Sequence, residues 1–63
     1  MKTFIPLTVS FTKDQTRTEL INMAQVVRII QGNSGTMVCF NSSGTDHIIV
    51  KESREEIEKL VNS

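Results

Sequence analysis

The alternation of apolar and polar residues is the pattern that most restricts the fold of this chain. From Phe4 to Thr12, apolar side chains recur at every second position, a period typical of a strand with one buried face. Pro6 lies within this segment and has no N–H to donate to a neighbouring strand. We therefore expect this strand to lie at an edge of its sheet.

Further strand patterns follow, separated by turn signals. Thr16–Ile21 can pair back as a short second strand, although the Lys13–Gln15 turn between them lacks glycine. A single turn is expected over Asn22–Gln25, because asparagine favours turns and caps. Three further strands are predicted from segments rich in β-branched residues: Val26–Gln31, Thr36–Asn41 and Thr45–Lys51. They are separated by two glycine-containing turns, Gly32–Gly35 and Ser42–Gly44.

The C-terminal segment has a helical pattern. Ser53 with Glu56 three residues later is a capping box, and Ile57, Leu60 and Val61 fall on one stripe. A helix of about three turns is marginal alone and must dock on the sheet. Five segments have a strand pattern, and the predicted fold class is α+β, a small antiparallel sheet formed by about four of them in the order ββββα, with one C-terminal helix packed on it.

The length of the chain limits its core. Its 63 residues form a single small domain, residues 1–63, and a chain this short buries roughly 60% of its unfolded surface. Cys39 is the one cysteine, so an internal disulfide cannot form. Small domains without disulfides or metals often gain stability from a partner subunit. Self-association is the expected additional support.

The predicted sheet has two apolar faces. One face, under the helix, can be lined by Val38, Phe40, Ile48 and Val50. The alternate positions, which point to the opposite face, are also apolar, and Val26–Gln31 is apolar on both faces. Either the first hairpin folds over the second face or another subunit covers it. The candidate interface consists of Met37, Cys39, Ile49, Val27 and Ile29.

The residue types that carry chemistry have structural interpretations here. Cys39 lies in mid-strand and is expected to be a packing residue, and His47 lacks a partner acid or nucleophile at a defined spacing. The acidic run from Glu52 to Glu58 fits helix capping and solvation. We predict no catalytic residues, no cofactor and no metal site, and hence a protein that is not an enzyme.

Nucleic-acid binding is an alternative function. Seven basic and seven acidic side chains cancel, which argues against binding by phosphate attraction alone. Lys13, Arg17, Arg28 and Lys51 can share a face if the hairpin lies beside the central strands. Stacking aromatics are few, since Phe11 and Phe40 fall in apolar phases and are expected in the core. This alternative is a small transcriptional regulator.

The sequence also gives an expectation for the compartment. It has no run of about 18 apolar residues and no signal-peptide pattern, and its cysteine is unpaired. We therefore expect no membrane span and a cytoplasmic location.

The chain from Leu20 onward resembles the small FlbD-type flagellar proteins, which are grouped with swarming-motility factors. The resemblance is carried by Ile21-Asn22, Val26 and Ile29, then Thr36–Phe40, Gly44, and the ending Ile49–Ile57. It covers about two-thirds of the chain, and the N-terminal hairpin is longer than the family's short start. The resemblance implies a flagellar accessory role without catalytic residues. With the two-faced sheet, it predicts a non-enzymatic interaction or regulatory module that binds itself or another protein.

Overall fold

The computed structural model describes residues 3–63 and has a five-stranded antiparallel sheet followed by one C-terminal helix. The predicted α+β class is confirmed, with five strands rather than about four. The strands lie in the order β2-β1-β5-β4-β3. The elements are β1 Phe4–Ser10, β2 Thr16–Asn22, a 3-10 turn Met23–Gln25, β3 Arg28–Gln31, β4 Thr36–Cys39, β5 His47–Val50 and α1 Arg54–Val61.

The β1–β2 hairpin forms without glycine in its turn. Seven residue pairs join its strands, from Phe4 opposite Asn22 to Ser10 opposite Thr16. The Gln15 carbonyl accepts the N–H groups of Phe11 and Thr12, and the Thr12 hydroxyl oxygen accepts the Gln15 N–H at 3.1 Å. The Thr12 side chain therefore accepts a backbone N–H within the turn and so supports a turn that contains no glycine.

The expectation that Pro6 marks an edge strand is wrong for β1 as a whole, because β1 lies between β2 and β5. The physical reason is that β5 pairs with β1 only at Val9 and Ser10. The Thr8 N–H points to the β5 side, and successive residues of a strand alternate, so the nitrogen of Pro6 faces the same side beyond the end of β5. Proline is tolerated there because no donor is needed.

One face of the sheet carries the core. Its buried side chains come from four strands and the helix: Ile5, Leu7, Val9, Ile21, Val38, Val50 and Ile57. The predicted core residues Phe40 and Ile48 and the helix residues Leu60 and Val61 pack against this cluster while partly exposed. The prediction that Phe11 lies in the core is wrong, because this residue lies beyond the end of β1 and is 45% exposed.

The capping box is formed as predicted and starts the helix. The Ser53 hydroxyl oxygen accepts the Glu56 N–H at 3.1 Å, and the Glu56 carboxylate accepts the Ser53 N–H at 3.1 Å. The helix contacts β1 and β3, and Ile57 is its buried residue. These contacts place α1 on the core face of the sheet.

Candidate interaction surfaces

The side chains that could carry chemistry are buried or hold local contacts, although Cys39 and His47 lie opposite each other on β4 and β5. Cys39 is fully buried, and the exposed His47 has its Nδ1 2.7 Å from the Gly44 carbonyl oxygen. Glu56 is held in the capping box. Across residues 3–63, no group of three or more His, Cys, Asp or Glu side chains is placed to hold a metal ion.

Glu52 joins β1 to the start of the helix. Its carboxylate accepts the Thr8 N–H at 2.8 and 3.1 Å and the Thr8 hydroxyl at 2.9 Å, and its backbone carbonyl accepts the Thr36 hydroxyl at 2.6 Å. Thr36 is itself fully buried. From the sequence, Glu52 was expected to take part in helix capping and solvation. In the structure its carboxylate accepts the Thr8 N–H of β1, a contact between residues far apart in the sequence.

A row of apolar side chains crosses the face opposite the core. The strand registers place Ile30 opposite Met37 and Met37 opposite Ile49, one phase away from the buried Val38 and Val50. Ile30 is 42% exposed, and Met37 and Ile49 are half-buried. We call Ile30, Met37 and Ile49 the outer row.

The five predicted interface residues do not lie together. Met37 and Ile49 belong to the outer row, whereas Cys39, on the same face, is fully buried. Ile29 lies opposite Val38 and packs against the core, so Ile30 takes its place in the outer row. Val27 is exposed but lines a separate cleft beside the helix.

This cleft separates α1 from β3 and the 3-10 turn. Its volume is about 420 Å³, with Met23, Val26 and Ile29 on one side and Val61 on the other. The charged side chains of Arg28, Arg54 and Glu58 also line it. An apolar cleft of this kind can accept an apolar side chain of a partner.

The four candidate cations do not form one basic surface. Arg17 is on β2 and Arg28 is on β3, the two opposite edges of the sheet. Arg17 lies opposite Val9 of the core phase, whereas Arg28 lies opposite Cys39 of the other phase. Lys13 is in the β1–β2 turn and Lys51 follows β5. The arrangement therefore lacks the continuous basic stripe expected of a nucleic-acid-binding sheet.

Arg17 also has local partners. Its Nε is 2.6 Å from Glu19 Oε2, and its guanidinium carbon lies 4.7 Å from the centroid of the Phe11 ring. The side chains of Arg17 and Glu19 remain 62% and 36% exposed. This pair therefore lies at the surface of the outermost strand, β2.

The exposed apolar surface of the hairpin was not predicted from sequence. Leu20 is 70% exposed and lies opposite Pro6 on β1, and Phe4 is also exposed. A usable signal was present, because Leu20 falls in the same phase as Thr16 and Thr18 and an apolar residue in a polar phase is expected at the surface.

Comparisons with known proteins leave the chain without a matched relative: no family model, no curated protein and no solved structure matches it. Among residues 3–63, no helix has the length and apolar character needed to cross a membrane.

Proposed function

We propose that this protein is a non-enzymatic interaction module that acts by self-association through the outer row of its sheet. The observation that carries the proposal is the exposure of the outer row on the face opposite the helix. The sequence left two ways to cover this face, the first hairpin or another subunit. The hairpin instead extends the sheet sideways, because β1 pairs edge to edge with β5.

The proposed occupant of this face is a second copy of the chain. Seven basic and seven acidic side chains cancel, so long-range repulsion between copies is small. A 63-residue domain with a small core also gains stability when a partner buries more apolar surface. An accessory role of the kind implied by the resemblance to FlbD-type flagellar proteins is part of this proposal.

The test compares two lysine substitutions on apolar residues of similar exposure. Ile30→Lys places a charge in the outer row, whereas Val27→Lys places one in the cleft on the other side of β3. Sedimentation velocity of the two variants and the unmodified protein, at equal concentrations, gives their weight-average masses. Thermal melts of the same samples show whether each variant is folded.

We expect Ile30→Lys to lower the mass relative to the unmodified protein and Val27→Lys to leave it unchanged. Equal masses for all three proteins would show that the outer row is not the surface through which the protein associates. If the folded, unmodified protein were monomeric at every concentration, the proposal of self-association would be wrong.

A further inference from the structure

The sheet has open backbone edges along β2 and β3, at its two ends, and along the part of β1 that β5 does not reach. Glu52 accepts the free Thr8 N–H of β1, and Pro6 on the same flank has no N–H. At the β3 edge the helix is in contact, and the Gln31 side chain accepts the Arg54 N–H at 2.8 Å. β2 carries neither proline nor lysine, and its two charged side chains, Arg17 and Glu19, are of opposite sign.

The backbone of β2 presents a row of free hydrogen-bonding groups. The N–H and C=O of Thr8 point towards β5 and its extension, so those of Leu7 and Val9 point towards β2. Their partners Glu19 and Arg17 point back towards β1. Four residues of β2 therefore direct their N–H and C=O away from the sheet, and all but Asn22 have exposed side chains: Thr16, Thr18 and Leu20.

We infer that β2 is the docking edge for β2 of a second copy, in antiparallel register centred on Thr18. In this register the two Thr18 residues face each other, and Arg17 lies opposite the partner's Glu19 on both sides of the two-fold axis. Opposite charges in directly facing positions stabilise an antiparallel pair. Each copy contributes one charge of each sign, so one contact is made twice, as two-fold symmetry requires.

The charges favour this register over its neighbours. Centring the pair on Glu19 would overlap all seven residues but would set two Glu19 carboxylates opposite each other. Centring it on Leu20 would place Glu19 opposite the partner's Ile21, a residue that is buried in each copy. The register centred on Thr18 overlaps five residues and matches every charge within the overlap with its opposite.

Pairing at this edge has a consequence for the face of the sheet. The two-fold axis of an antiparallel strand pair runs perpendicular to the sheet, so both copies expose the same face on the same side. Two five-stranded sheets become one ten-stranded sheet carrying two outer rows. The inference deepens the proposed function, and rests on it, by naming a second contact through which the same chain self-associates.

A charge-swap mixing experiment tests the register. Arg17→Glu gives a β2 strand with two acidic side chains, and Glu19→Arg gives a β2 strand with two basic ones. Each variant paired with itself sets like charges opposite each other. When the two variants pair with one another in the register centred on Thr18, each acidic side chain of one copy lies opposite a basic side chain of the other. The internal contact between Arg17 and Glu19 is lost in both variants, so it cannot account for a difference between the mixture and its components.

The matched control moves the same charges to the helix. Lys59→Glu and Glu58→Arg change the net charge by the same amounts at exposed positions of α1. Sedimentation of all four single variants and of the two equimolar mixtures would be compared in the Ile30→Lys background, which disables the outer row. Thermal melts of each sample identify any variant that is unfolded.

We expect the β2 mixture to associate about ten-fold more tightly than either of its components. The helix mixture should show no such gain. Equal association of the β2 mixture and its folded components would overturn the edge pairing. In that case, a loss of mass on Ile30→Lys alone would still support the outer row, so the two proposals fail separately.

Discussion

Replacing Glu52 with alanine tests the long-range contact that holds the helix start against β1. The substitution removes the acceptor of both the Thr8 N–H and the Thr8 hydroxyl, which are 2.8 and 2.9 Å from the carboxylate oxygens. A hydrogen bond to a charged group contributes about 1.5–3 kcal/mol to stability. Thr8 is half-buried, so water can replace part of the loss.

Two such bonds would total about 3–6 kcal/mol if water replaced neither, and because water can reach Thr8, we expect the free energy of unfolding to fall by about 2 kcal/mol. A domain of this length has a total stability of roughly 3–9 kcal/mol. The melting temperature should fall by roughly 8–16 °C, since each kcal/mol shifts a small domain by about 4–8 °C. Glu52→Gln keeps one side-chain oxygen as an acceptor and should lose about half as much.

Urea denaturation at one fixed protein concentration measures these differences, because the proposed self-association would make apparent stability depend on concentration. Glu58→Ala is the control, since it removes an exposed carboxylate from α1, the helix that begins just after Glu52. If Glu52→Ala were as stable as Glu58→Ala, the contact with Thr8 would contribute nothing and the reasoning would be refuted.

Three further predictions concern the core and the helix. Ile57→Ala should lower the free energy of unfolding by about 2–5 kcal/mol, because this side chain is 1% exposed in the core; a loss below that of an exposed site would contradict the packing. Ser53→Ala should cost about 1 kcal/mol in the same denaturation assay by removing the cap, and an unchanged midpoint would show that the cap is dispensable. The thiol of Cys39 should react with an aromatic disulfide reagent only after unfolding, because it is fully buried; rapid reaction of the native protein would contradict its position.

Local signals in the sequence predicted the individual elements. The capping box at Ser53 and Glu56 and the turn around Gly44 depend on neighbouring residues, and both are formed. Gly44 has a φ of 78°, in the left-handed region that favours glycine, and its N–H is accepted by Asn41 Oδ1 at 2.8 Å. Such features are readable from sequence because each is complete within a few residues.

Strand neighbours and registers were harder to predict because they depend on distant residues. Nothing near Pro6 indicates that β5 ends before reaching it, so an interior strand was predicted to be an edge. Ile29 and Ile30 are equally apolar, and the pairing of β3 with β4 decides that Ile30 faces outward. Met37 and Ile49 lie in the expected phase of β4 and β5, whereas on β3 that phase carries Ile30 rather than Ile29.

The solution mass of the untagged protein, measured by sedimentation over a concentration series, tests self-association most directly. We expect a mass that rises with concentration to a whole-number multiple, at least two, of the 7.1 kDa monomer mass. A folded chain that stays at the monomer mass up to the highest concentration would contradict self-association, and the exposed outer row would then have to serve a different partner.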